Sequence, residues 1–391
     1  MKIIIVSGMA IGRSGVGQFL EAFQGDERFQ LICRKDRKSL RNLVAKKRYL
    51  NIVLEIMARL FNDLCFYFKL RTIKKNVVII VHPQTLGYSN FRFITENNVS
   101  YLYLLDSWYF CIRSYNYVER NKECLKCIEC PTSNRLNMIA RTECRSFPTL
   151  LSRTKYLAYS RYVKEAIEAE DLRLLYQNDS QKLLASRFFS ANKGSVVGMP
   201  AVKNVGAAPY VSLELEDFDF VYHGTKEAAK GIYYFLSVAA LMPEKSFFVP
   251  VERSSIFEGD NTNYKKFDSL SNVTFCDCTW ESGLADVVKR AGLVINPTLW
   301  SAPVEGALIK SMLINDNVAT IASGYSFSTE IPKNAIVELP NCEKAAAQKL
   351  RSLAGNWKLD KEAKDKWISK FMSKNNIDSI FESVWSDLHV R

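Results

Sequence analysis

The sequence predicts an α/β protein built from two Rossmann-like, doubly wound parallel-sheet domains. Three observations predict it. Short apolar runs, each ending on a polar residue, alternate with helical patterns along most of the chain, as strand–helix–strand units require. The alternation lapses between Val202 and Asp219, where "VKNVGAAPYVSLELEDFD" gathers Gly, Pro and acids, and then resumes. The length of 391 residues, 48% of them hydrophobic, lets each half bury its own core.

Taken in order, "KIIIVS" reads as a buried strand, "GMAIGRSGVG" as a glycine loop and "QFLEAF" as a helix closed by Gly25. "NVVIIVH", "SYLYLLD" and "KYLAYS" read as further strands, and "SRYVKEAIEAEDLRLLY" as a helix. The second series opens on the strand "FDFVYHG" and the helix "AKGIYYFLSVAALM". It continues through "KSFFVPV", "NVTFCD", "SGLADVVKRA" and "GLVINP" to "NVATIAS" and "AIVEL". Residues 1–203 are expected to form the first domain, 204–217 a linker and 218–360 the second domain. Two amphipathic helices over 361–391 follow.

The net charge of +12 is concentrated. Between Arg28 and Lys75 there are fourteen Lys and Arg against three acids, a net +11, so the rest of the chain is close to neutral. Over 38–75 the basic residues alternate with Leu, Ile, Phe and Tyr at helical spacing, which suits a helix lying on an anionic membrane surface. No nucleic-acid-binding module accompanies the charge, and nucleic acid is not an expected partner. No secretory leader pattern opens the sequence and no apolar run approaches twenty residues, so a cytoplasmic, at most peripheral, location is expected.

Five of the ten cysteines fall in the insertion 108–147: Cys111, Cys124, Cys127, Cys130 and Cys144. They could supply a thiolate zinc site or be packed free thiols, and no metal is assigned.

Ligands of open parallel sheets sit beyond the carboxyl ends of the strands. That rule selects the loop holding Gly15 and Gly17, then His82 and Asp106, in the first half. In the second half it selects "HGTKEAAKG" and "PTLWSAPVEGALIKSML". Lys226 and Lys230, four apart near a helix start, oppose the helix dipole and so suggest a bound anion such as a diphosphate. Ser301 is expected to cap the following helix with Pro303 in its first turn, so that Ala302, Gly306 and Lys310 form a stripe with Glu305 beside it.

The run "FVYHGTKEAAKGIYYFLSVAALMP", with "NVTF" and "LADVVKRAGLVINPTLWSAPVEGALIKSM" in that order, resembles the donor domain of GT-B glycosyltransferases of family 4. The first half, with "LLDSWYFCIRSYNYVERNKECLKCIEC", is similar to their acceptor domain. The resemblance implies a GT-B fold of two domains facing a central cleft, with the C-terminal helices crossing back to the first. It implies transfer, with retention, of a sugar from a nucleoside-diphosphate donor to a glycan or lipid-linked acceptor of cell-surface polysaccharide or lipopolysaccharide. No further cofactor is implied. Gly224, Lys230 and Gly231 match the diphosphate-binding elements, with Thr225 in place of an arginine. Ala302 and Lys310 stand where the family carries two glutamates. His82, Asp106 and Glu305 are then the candidate catalytic residues, with binding of the donor sugar as the other role the resemblance implies for His82. Gly15, Gly17, Gly224, Lys226, Lys230, Gly231, Ser301, Gly306 and Lys310 are the candidate donor-binding residues. A non-catalytic GT-B partner subunit and a nucleotide-sugar 2-epimerase are the rival readings.

Overall fold

The computed structural model describes every residue except 1, 13, 38–43, 45–48, 119–121, 129–149, 190–193, 201–211, 258–261, 322, 354 and 390–391. It also leaves out the side chains of 118, 122, 150–153, 257 and 262–264. The chain divides into two compact units.

The first unit contains Met1–Ile112, Pro148–Ala201 and Asn375–Arg391. Its strands are β1 (Ile3–Ser7), β2 (Phe29–Cys33), β3 (Val77–Val81) and β4 (Val99–Tyr103). After the two-residue strands β5 (Tyr117–Val118) and β6 (Lys122–Glu123) of the other unit come β7 (Leu172–Tyr176) and β8 (Gly194–Val196). The sheet order is β2-β1-β3-β4-β7-β8, and every pairing is parallel. β1 and β3 are buried at all five positions, which is why they read as unbroken apolar runs and not as alternations. The final helix, Ile377–His389, belongs here: Ile377, Ile380 and Val384 enter this core, and Tyr101 Oη donates to Asp387 at 2.6 Å.

The second unit contains Arg113–Phe147 and Val202–Lys374. Its strands are β9 (Phe220–Tyr222), β10 (Phe247–Val249), β11 (Val273–Phe275), β12 (Leu293–Asn296), β13 (Val318–Ile321) and β14 (Val337–Leu339). They are parallel in the order β11-β10-β9-β12-β13-β14. Numbered within the unit this is 3-2-1-4-5-6, the dinucleotide-binding order, whose crevice opens beside the first strand. β9 and the segment after β12 are therefore where a ligand is expected.

The structure corrects four sequence expectations. "KYLAYS" is helical, inside Leu150–Glu168. Its Tyr159 is buried against Phe91 and Trp108, a packing preference that overrides aromatic β-propensity. "LRLLY" is not the tail of that helix but β7. The described part of the cysteine insertion from Arg113 onward groups with the second unit, not the first. Helix Lys361–Lys374 also stays with the second unit, where buried Lys364 pairs with Asp316 and Trp367 and Phe371 pack near Phe327.

Candidate active site

Two segments of the second unit meet at the mouth of its crevice. The loop after β9 runs from His223 through Gly224 to a short 3-10 turn, Ala228–Lys230, and the following helix, Ile232–Leu241, begins at Gly231. Gly231 adopts φ +80°, and a Cβ there would lie 2.0 Å from the Pro297 carbonyl oxygen. Only glycine allows this approach. Leu299 N donates to Ala229 O at 3.0 Å, joining the two segments again. Tyr222 Oη lies 2.7 Å from Thr225 O and 3.2 Å from Lys230 O and shares its proton between them, while a side chain at Gly224 would strike that hydroxyl.

This packing sets the partner of Lys230. Its ammonium is 2.5 Å from Glu305 Oε1 and sits over the rings of Trp300 and Tyr115 at 5.1 and 5.5 Å. The side chains of Lys230 and Glu305 are 17% and 8% exposed, so the pair is largely withdrawn from water. Lys226, by contrast, precedes the turn and is exposed, and the expected pair of lysines on one helical face does not form.

The helix after β12 starts later than the sequence suggests. It spans Gly306–Ile314 with Glu305 as its N-cap and without a side-chain cap bond. Pro303 and Ala302 precede it. Ser301 is not a cap, because the cysteine insertion claims it. Asn116 Nδ2 donates to Ser301 Oγ at 2.7 Å, Ser301 N donates to Asn116 Oδ1 at 3.2 Å, and Ser301 Oγ donates to Glu123. Ala302 is buried with Ala229 and Trp300 instead of facing a ligand. Gly306 keeps its place, with open space where a Cβ would be.

A second cluster lies on the same helix. His223 stacks on Trp280, ring centroids 5.1 Å apart and 11° from parallel, and its Nδ1 is 2.8 Å from Ser311 Oγ. Lys310 Nζ lies 5.3 Å from the centre of the same indole. Burial, reinforced by the Lys310 charge, pushes His223 down to about 3, so its imidazole is neutral at physiological pH. Desolvation also lowers the Lys310 ammonium, with Glu281 partly opposing the shift. Among the described residues Lys310 has no hydrogen-bonded or ion-paired acid. It is a partly buried cation facing an indole and a neutral imidazole.

A pH prediction arises from His223. Its folded value lies below the ordinary 6.5, so the unfolded chain takes up the proton first as pH falls. Stability is complete above about 6.5 and drains away between there and about 3. One unit into that window, at pH 5.5, the loss is about 1.4 kcal/mol relative to pH 7.5. Chemical denaturation at the two pH values should show this difference, and His223→Gln should remove most of it.

In the first unit, the glycine loop does not present free amides throughout. Ser14 caps helix Gly15–Glu21 by accepting from Gly17 N at 3.0 Å, and a Cβ on Gly17 would meet the Gly12 backbone. Gly17 is thus needed for close packing, whereas Gly15 is exposed. His82 occupies the left-handed region at φ 54° directly after β3. Thr85 Oγ1 donates to His82 O and stands 3.0 Å from His82 Nδ1. That hydroxyl's proton is committed, so Nδ1–H donates to it and Nε2 keeps the lone pair. Burial lowers the His82 pKa, which keeps Nε2 available as a base or acceptor. Asp106 Oδ1 accepts from Trp108 N at 2.9 Å.

Cys111 is buried in the first unit, and Cys124 and Cys127 lie in the second; Cys130 and Cys144 fall outside the described residues. Among the described residues no three His, Cys, Asp or Glu side chains gather as a metal site.

No family model and no curated protein matches this sequence. Solved structures do. The sucrose-phosphate synthase of Thermosynechococcus elongatus is similar over the whole of both chains, with a TM-score of 0.60 at 12% identity. Anabaena HepE, solved with UDP, is similar over the whole of both chains, with a TM-score of 0.57 at 11% identity. The fold is GT-B. A TarM variant of S. aureus, solved with UDP, fondaparinux and α-GlcNAc-glycerol, adds a TM-score of 0.52 at 17% identity. That match covers 83% of this chain and 58% of TarM, so this chain spans little more than half of TarM's length.

His223, Trp300 and Ser311 lie within the two segments selected from the sequence but carry no assigned role there, and Trp280 lies outside both. His223 had a signal, since it is the first residue after β9. Trp280 had none: it reaches His223 through the turn Trp280–Leu284, which follows a different strand.

Proposed function

We propose that this GT-B chain is a glycosyltransferase of the family 4 type. In this reading it moves a sugar from a nucleoside-diphosphate donor to a glycan or lipid-linked acceptor in cell-surface polysaccharide synthesis. The observation that carries the reading is Lys310. A partly desolvated cation with no directly paired acid, set against an indole and a neutral imidazole and only partly offset by Glu281, is costly until an anion joins it, and it stands on the helix whose open N-terminus begins at Gly306. A diphosphate supplies that anion. Lys310 and the helix amides then offset the charge that grows on the leaving diphosphate, an arrangement fixed before reaction. Lys230 is already neutralised by Glu305, so its task is to hold Glu305 beside the donor sugar, where the carboxylate accepts from sugar hydroxyls. His82 Nε2 and Asp106 orient the acceptor hydroxyl and take its proton. Retention at the anomeric carbon follows from the resemblance and is checked by the anomer first formed.

UDP is the direct probe. At about a hundred times its dissociation constant it should raise stability by about 2.7 kcal/mol. Lys310→Met should weaken UDP by about tenfold or more while leaving the unliganded protein no less stable, because it deletes a desolvated charge. Affinity should also fall on raising the pH, and sooner than for an ordinary lysine. Equal UDP binding by wild type and Lys310→Met would remove the reading's basis. Ala302 and Lys310 in place of two glutamates favour the rival, a non-catalytic subunit. Slow hydrolysis of a nucleotide sugar by the wild type excludes that rival, and binding without any turnover supports it.

A further inference from the structure

The helix Tyr49–Arg71 is amphipathic in the wrong sense for a water-facing surface. Its inward stripe is polar: Glu55, Arg59, Asn62 and Asp63 are turned towards the body of the first unit, ahead of buried Phe66 and Leu70. Glu55 pairs with Arg59 at 2.9 Å, and Asp63 pairs with Arg34 at 3.4 Å and with Arg37. Both acids of the helix are thereby neutralised. The outward stripe is apolar. Leu50, Val53, Leu54, Met57, Leu60 and Phe61 are each more than half exposed, and Leu64 and Phe68 continue the row. These positions follow the three- and four-residue spacing of one helical face, roughly opposite the charged stripe. A contiguous apolar face of this kind marks an interaction surface and not a solvated one.

Charge identifies the partner. Lys69, Lys74 and Lys75 stand exposed at and just beyond the C-terminal end of the helix. An apolar stripe with exposed cations at its end suits a nonpolar phase bordered by anions. We propose that this helix lies in the interface of an anionic lipid bilayer, its axis in the membrane plane and its outward side chains among the acyl chains. At about 1.5 Å per residue its 23 residues cover roughly 34 Å of membrane surface. No helix among the described residues is long and apolar enough to cross a membrane, so the helix lies on the bilayer and does not span it. The proposal does not rest on the donor-site reading. It sharpens the membrane contact expected over residues 38–75: burial of the stripe supplies the affinity and the cations supply the preference for anionic lipid.

Flotation of the full-length chain with vesicles tests it, using phosphatidylcholine alone and phosphatidylcholine with 30% phosphatidylglycerol. Wild type should float with the anionic vesicles, less well at high salt but still measurably. Leu54→Gln/Phe61→Gln removes two outward apolar side chains without adding charge. It should lower the partition coefficient by about 100-fold, with circular dichroism and melting unchanged. Lys69→Gln/Lys74→Gln should instead reduce the preference for anionic over neutral vesicles. Two outcomes would overturn the proposal. In one, the Leu54/Phe61 variant floats as well as wild type. In the other, wild type stays off vesicles and sediments as a dimer that the same pair of substitutions dissociates, which would make the stripe a contact between copies.

Discussion

Lys230→Ala is expected to cost about 3 kcal/mol of stability in the second unit and to abolish most sugar transfer. The stability loss comes from what remains, not from what is removed. Glu305 is 7% exposed and would be left buried without its cation, and breaking such a pair from one side costs on the order of 3–5 kcal/mol. A double substitution separates structure from function. Lys230→Met/Glu305→Gln leaves no buried charge unpaired, so it should recover most of the lost stability, read by chemical denaturation. It should not recover turnover, because the carboxylate proposed to hold the donor sugar is gone. Glu305→Gln alone should lower turnover more than it lowers UDP affinity, since Lys310 and the helix amides are untouched. If the double variant transferred sugar at the wild-type rate, the pair would be a packing element and the donor-sugar assignment would fall.

Gly231→Ala should be the most damaging single-methyl change in this unit. The residue's φ of +80° disfavours any side chain, and the added carbon would meet the Pro297 carbonyl at 2.0 Å, which is backbone and cannot rotate away. Strain in the left-handed region and the overlap together amount to on the order of 3 kcal/mol. The only relief is separation of the loop after β9 from the segment after β12. That movement would carry Lys230 away from Glu305. The expected result is a lower melting temperature together with a loss of UDP-dependent stabilisation. Gly306→Ala serves as the control, because open space surrounds that position and the substitution should leave melting nearly unchanged. Equal melting temperatures for the two variants would contradict the close approach.

The sheets were legible because parallel strands are buried on both faces and announce themselves as short apolar runs. Where local and tertiary preferences diverge, the reading failed. "KYLAYS" carries β-rich aromatics, yet Tyr159 packs as one face of a helix against Phe91 and Trp108. Ser301 followed by Pro303 looks like a helix start, yet Ser301 serves Asn116, 185 residues earlier in the chain.

By itself the sequence determined the two parallel-sheet halves, the glycine at position 231, the lysines at 230 and 310 and the basic character of 28–75. All of these follow from residue type and spacing along the chain. Only the tertiary structure decided that Lys230 meets Glu305, that Trp280 lies against His223 and beneath Lys310, and that the 49–71 helix turns its charges inward. Those facts depend on which strand ends become neighbours and which side of a helix finds a partner. Periodicity names the two faces of a helix, but only packing chooses between them.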